Sequence, residues 1–248
     1  MGSGELPKWI MSKQKNLKVH LPEWVTRLFP DAIWLIPTGE KVVYLTFDDG
    51  PIPEVTPKVL DILNEKGIKA TFFCVGENVY KYPELFNRIK KEGHSVGNHT
   101  YNHLQGLKCS AKDYWANIEK ANELIRSNMF RPPHGWLKRI QYWSIIRKYK
   151  LVMWDVISCD YDTRLTPNQC FHNVIDFVRD GSIITFHDSL KAEKNVLEAL
   201  PKTIDYLAAE GYSFRKIEFP KIYPLKKSIV PQKIQNMRDS INKLLKGA

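Results

Sequence analysis

From residue 41 onward, apolar runs of strand length alternate with stretches of helical periodicity. KVVYLTF (41–47) is almost unbroken apolar sequence, as a strand buried on both faces requires. TPKVLDILNEKG (56–67) follows with a helical pattern, Thr56 as N-cap, Pro57 at the first helical position and Gly67 at the end. The same alternation predicts further strands at 69–75, 94–99, 130–132, 150–156, 182–188 and 212–219. Helices are predicted at 83–93, from Ser110 to about 127, and at 139–149, 166–181 and 194–211. Strands separated by helices run parallel, so the chain is α/β, and a doubly wound sheet and a barrel both satisfy the pattern.

Polar clusters separate these two folds. TFDD, NHTYNH, RPPHG, WDVISCDYD and FHD each lie at the C-terminal end of a different predicted strand. In a barrel those ends form one rim, where side chains from several strands meet. An open sheet would spread them along an edge, so the clusters favour a barrel of about seven parallel strands. The organisation expected is an N-terminal extension (1–40), one domain (41–220) and a basic tail (221–248). The tail places Ile234, Met237, Ile241, Leu244 and Leu245 on one face of a predicted helix.

The net charge of +10 suggests an anionic partner until its distribution is examined. Residues 1–20 carry +3 and residues 221–248 carry +6, leaving +1 for everything between. A nucleic-acid face on the folded body therefore has little support. No apolar run is long enough to span a bilayer. The N-terminus lacks an apolar signal core, so a cytoplasmic location is the default expectation. The four cysteines, at 74, 109, 159 and 170, form no C-x-x-C pair and read as reduced, mostly buried thiols. The sequence does not specify the oligomeric state.

Asp48 and Asp49 end the first strand, and on TFDDGP alone an ordinary Asp-Gly-Pro turn is an equal reading. His99 and His103 are four apart, which places both on one helix face or in one tight turn, as a metal pair needs; two polar loop histidines is the plainer account. Together, two imidazoles and one carboxylate would make three protein ligands with positions left for water. The second carboxylate would then be free to act as a base.

Five segments in order resemble the polysaccharide deacetylase family, also called the NodB-homology domain or carbohydrate esterase family 4. They are TFDDGP (46–51), HTYNH (99–103), RPPHG (131–135), DVISCDY (155–161) and FHD (186–188). The resemblance implies a distorted (β/α) barrel and a divalent metal, zinc first, with cobalt or nickel as alternatives. It implies hydrolysis of N-acetyl groups on an N-acetylated glycan such as peptidoglycan or a chitin-like oligomer. By the same resemblance, Asp49, His99 and His103 would be metal ligands and Asp48 the catalytic base, held by Arg131. His187 would be the general acid, oriented by Asp160, and the backbone N–H of His134 would face the oxyanion. Trp154, Tyr161 and Trp136 are candidates for the substrate pocket. Three positions depart from the family pattern: His134 stands where an aromatic is usual, Tyr161 where Trp is usual and Thr185 where Leu is usual. They bear on substrate more than on mechanism. Hydrolysis of a small non-sugar amide, or glycan binding without turnover, are the alternatives.

Overall fold

The computed structural model describes residues 19–219. Strands β1 (Val42–Asp48), β2 (Thr71–Cys74), β3 (Ser95–Asn98), β4 (Met129–Phe130), β5 (Lys150–Leu151), β6 (Val156–Ile157), β7 (Ile183–His187) and β8 (Ser213–Phe214) form one sheet. Its order is β5-β4-β3-β2-β1-β7-β6, with β8 paired to the start of β1, and every named pairing is parallel. The helices are α1 (Glu23–Thr26), α2 (Thr56–Glu65), α3 (Gly76–Lys81), α4 (Pro83–Lys91), α5 (Ala111–Ile125), α6 (Arg139–Ile145), α7 (Pro167–Ile175) and α8 (Glu193–Ala209). The sheet curls into an open, distorted barrel, the architecture expected from the converging polar clusters.

β1 is buried along its whole length, which is why its sequence shows no alternation. Phe47 stacks on Phe72 and Phe186, so the neighbouring strands β2 and β7 share its apolar face. Helix α5 begins where Ser110 accepts a hydrogen bond from the Asp113 backbone, and α7 begins with a Thr166–Gln169 capping box.

Two expectations differ from the structure, and a third falls outside the described residues. Thr56 is not an N-cap: α2 starts at Thr56 itself after Val55, and its hydroxyl donates to Asp188 while accepting from Ile52 N–H. The predicted strand 150–156 is two short strands, β5 and β6. Between them, the carbonyls of Val152 and Met153 accept from the Arg131 guanidinium rather than from a neighbouring strand. The tail residues Ile234, Met237, Ile241, Leu244 and Leu245 lie outside the described residues.

The end strands β5 and β6 are bordered by the segment preceding β1. Ile33 N–H donates to Leu151 O and Ile33 O accepts from Met153 N–H, while Val19 O accepts from Ile157 N–H. Leu35 bridges antiparallel to Ser182. Val19 is 1% exposed and belongs to the main core, so part of the expected extension is built into the barrel wall.

Candidate active site

Strand register sets the first relation in the site. Asp48 and His187 are paired positions at the ends of β1 and β7, so they stand side by side at the C-terminal rim. On the other side of β1, Asp48 pairs with Phe73 at the end of β2. Beyond β3 and β4, whose Asn98 and Phe130 pair, come His99 and Arg131.

Arg131 is fully buried inside the barrel. Its guanidinium donates to Asp48 Oδ1 (2.7 Å), Thr46 Oγ1 (2.8 Å), Met153 O (2.8 Å) and Val152 O (3.3 Å). One face lies 4.1 Å from the centre of the Phe73 ring. Burial lowers the Arg131 pKa, and the contact with Asp48 acts against that fall.

Asp49 leaves the strand in a left-handed conformation, φ +85°. Alternation along β1 would send its side chain to the opposite face from Asp48, and this turn redirects it. Its Oδ1 lies 3.1 Å from His103 Nε2 and 3.7 Å from His99 Nε2. One ligand atom from each of Asp49, His99 and His103 falls within 4.8 Å of the others. The two histidines reach this point from a tight turn, not a helix, with Thr100 and His103 also at positive φ. His99 Nδ1–H donates to Arg131 O (2.8 Å), which leaves Nε2 as a lone pair aimed at the cluster. Burial lowers the His99 pKa to about 4, keeping it neutral. For Asp49, burial acts to raise the pKa, and the imidazoles of His103, His187 and His99 outweigh it, holding the carboxylate ionised.

These residues fit a divalent cation. Asp49 Oδ1 is a buried oxygen that makes no hydrogen bond, a costly state that a cation relieves. His103 is 34% exposed on its side chain, so the cluster opens to solvent on one side, as a catalytic centre needs.

His187 accepts a different environment. Its Nδ1–H donates to Asp160 Oδ1 (2.7 Å) and its backbone N–H to Asp160 Oδ2 (2.8 Å), so one buried carboxylate fixes both ring and backbone. Burial opposes a charge on His187, but Asp160, with Asp49 and Asp48, pushes its pKa up to about 9. Tyr161 meets the His187 ring edge-on, with centroids 4.8 Å apart. His134 sits at φ +60° and its ring lies edge-on to His103 at 4.8 Å. Burial lowers the His134 pKa. Trp136 is 59% exposed beside it, whereas Trp154 is partly buried with its indole edge against Gly135. Thr185 lies buried under the rim, 3.2 Å from Thr46 through their hydroxyls.

Asp48, Asp49, His99, His103, Arg131, His134, Asp160, Tyr161 and His187 are thus linked by contacts at one rim, and Trp154 lies against Gly135. Sequence reasoning did not single out the side chains that hold the loops. Asn78 donates to Asp49 O, Asn173 to Ser158 O, and Asn195 to Asp160 O, while Asn98 Oδ1 accepts from Thr100 N–H. Asp188 accepts from Gly50 N–H and Thr56. Its burial and the Asp49 charge raise its pKa to about 7 against the pull of those hydrogen bonds. Of these, Asp188, adjacent to His187 in FHD, and Asn98, adjacent to His99 in NHTYNH, carried a local signal.

The sequence profile described as polysaccharide deacetylase matches residues 36–153. A Bacillus cereus peptidoglycan-N-acetylglucosamine deacetylase is 34% identical over 199 residues, covering 77% of this chain and 71% of the relative. A chitooligosaccharide deacetylase of Sinorhizobium fredii is 33% identical over 198 residues, covering 73% and 92%. Among solved structures, the peptidoglycan N-acetylglucosamine deacetylase Bc1960, in complex with a hydroxamate-type benzamide, superposes with a TM-score of 0.73 at 32% identity, covering 79% of this chain and 94% of that one.

Proposed function

The chain belongs to the polysaccharide deacetylase family, and on that basis we propose that it is a metal-dependent hydrolase removing N-acetyl groups from N-acetylglucosamine-containing glycans. The activity is assigned to residues 41–220. The observation that carries the proposal is the placement of two differently prepared groups on paired strands beside one donor cluster. Asp48 lies 2.7 Å from the Arg131 guanidinium, and His187 lies 2.7 Å from the buried Asp160 carboxylate.

Asp49, His99 and His103 would hold a divalent cation, with zinc the first choice and cobalt or nickel alternatives. Bound there, the cation supplies Lewis acidity, polarising the acyl oxygen and making water easier to deprotonate. Asp48 accepts a proton from the attacking water as its oxygen bonds to the acetyl carbon. The His134 backbone N–H is assigned to the oxygen that gains charge in that step. Collapse breaks the C–N bond, and His187 delivers its proton to the departing nitrogen, which leaves as a neutral amine. Acetate carries the oxygen that came from water. Arg131 and Asp160 touch neither substrate atom; they orient the base and the acid. Trp136 and Tyr161, exposed at the rim, are offered to sugar faces, and Trp154 to the pocket wall.

Acetate release from N-acetylated chitooligosaccharides and from peptidoglycan tests this reading. Activity is expected to vanish with chelator, return with zinc or cobalt, and fall about 10²–10⁴-fold in Asp48→Asn. Release only from small non-sugar amides would displace the glycan assignment. Glycan binding with no product from metal-loaded protein would mark a binding protein instead.

A further inference from the structure

Asp49 is a single side chain on a short turn whose two flanking peptides are both held by hydrogen bonds. Asp188 N–H donates to Asp48 O (3.1 Å), and Asn78 Nδ2 donates to Asp49 O (2.8 Å). Gly50 N–H donates to Asp188 Oδ1 (3.0 Å), and Gly50 O accepts from Val75 N–H (2.9 Å). Asp188 thus brackets Asp49, with its backbone on the peptide before it and its carboxylate on the peptide after it. The other carboxylate oxygen, Oδ2, accepts from Thr56 Oγ1 at 2.6 Å, and that hydroxyl in turn accepts from Ile52 N–H at 2.7 Å. The start of α2, the turn and the end of β7 are therefore joined through one buried carboxylate. Contact is close enough that a Cβ added at Gly50 would sit 1.9 Å from Asp188 Oδ2.

The need for this arrangement follows from the backbone. An Asp at φ +85° is in a region that costs on the order of 1–3 kcal/mol unless its surroundings impose it. Two soft backbone dihedrals set where the Asp49 Cα–Cβ bond points, and fixing the peptides on both sides fixes both of them. Released, the turn relaxes toward ordinary φ and carries Oδ1 away from His99 and His103.

We propose that Asp188, with Asn78, is a positioning residue for the metal centre: it locks the Asp49 turn so that the carboxylate meets the two histidines, and so sets cation affinity. Resting on the deacetylase reading for the presence of a cation, the proposal adds a residue that contacts neither cation nor substrate. Neighbours that orient a ligand in this way are worth about 10–100-fold in metal affinity.

The test is zinc affinity of the full chain, measured by competition with a chromophoric chelator, alongside urea unfolding of the metal-free protein. Asp188→Ala is expected to weaken zinc binding about 10–100-fold. Asp188→Asn keeps an amide oxygen for Gly50 N–H and should recover most of the loss. Asn78→Ala removes the second pin without opening the core and should weaken binding in the same direction, so the proposal stays testable if Asp188→Ala fails to fold. Asn195→Ala is the control, because it loosens the Asp160 loop instead; its zinc affinity should match wild type even where its urea midpoint falls. Zinc affinity within threefold of wild type in folded Asp188→Ala, or in Asn78→Ala where the former does not fold, overturns the clamp alone. Wild-type protein that takes up no zinc, cobalt or nickel overturns the metal reading and the clamp with it.

Discussion

Removing the Arg131 guanidinium should expose how the barrel interior tolerates a charged base. Arg131→Met keeps an unbranched stem of similar length beside Phe73 and deletes all four hydrogen bonds of the head group. Asp48, 4% exposed, is left as a buried carboxylate with its cation gone, and the carbonyls of Val152 and Met153 lose their donors. Breaking a buried pair from one side costs about 3–5 kcal/mol, and each abandoned acceptor adds about 1 kcal/mol or more. A total of about 5 kcal/mol or more is a large share of the roughly 5–15 kcal/mol that stabilises a domain. Asp48→Asn should also be costly, because it leaves the guanidinium uncompensated. The double variant Asp48→Asn/Arg131→Met carries neither charge and should recover at least about 2 kcal/mol relative to the sum of the singles. Urea unfolding at pH 7, followed by tryptophan fluorescence, measures all four corners. Arg131→Lys, which keeps charge but loses the planar fork, should fall between wild type and Arg131→Met. Additivity within about 0.5 kcal/mol would refute the claim that the two side chains are held by one another.

Charge on His187 should set the alkaline limb of activity. With its pKa pushed up to about 9 from 6.5, the acid is fully charged below the lower value and is lost as pH rises through the upper one. The same sign applies to stability: the His187–Asp160 contribution is present below about pH 6.5 and fades on approaching 9. Asp160→Asn removes the main upward influence, so the limb should move down by about two units, toward the ordinary 6.5, and activity at pH 8 should drop about tenfold; an unmoved limb in the pH profile would assign that limb to another group. A bound dication lowers the limb in both proteins, so the comparison between them is what counts. Gly97→Ala should cost about 1–3 kcal/mol in urea, because its Cβ would lie 2.4 Å from the Phe73 ring on which Arg131 rests. Stability unchanged in that variant would mean the ring has room to move.

The strands legible in sequence were those buried on both faces, β1, β2 and β7, because continuous burial writes itself as continuous apolar sequence. The rim residues were legible for another reason: TFDDGP alone reads equally as a turn and His99 with His103 as a polar loop, but five polar segments at strand ends in one order resemble the motifs of a known family. What escaped is what depends on distant partners. The break at 152–155 comes from a guanidinium that arrives from β4, and nothing within KLVMWDV announces it. Asn78, Asn173 and Asn195 look like ordinary polar helix residues; their amides matter only because the turns they hold lie beneath them. Helix α3 was missed because it is six residues long and opens on Gly76, which is read locally as a breaker.

The stretch from Val19 to Ile36 has a consequence for anyone shortening the chain. A fragment trimmed to begin at residue 41, where the apolar alternation starts, would lose the backbone partners of Leu151, Met153, Ile157 and Gly181. Two strand borders would then present unpaired N–H and C=O groups to solvent, and such borders recruit strands from other molecules. Trimmed preparations should therefore self-associate with rising concentration while retaining every rim residue, and loss of activity in them would report on assembly rather than on chemistry.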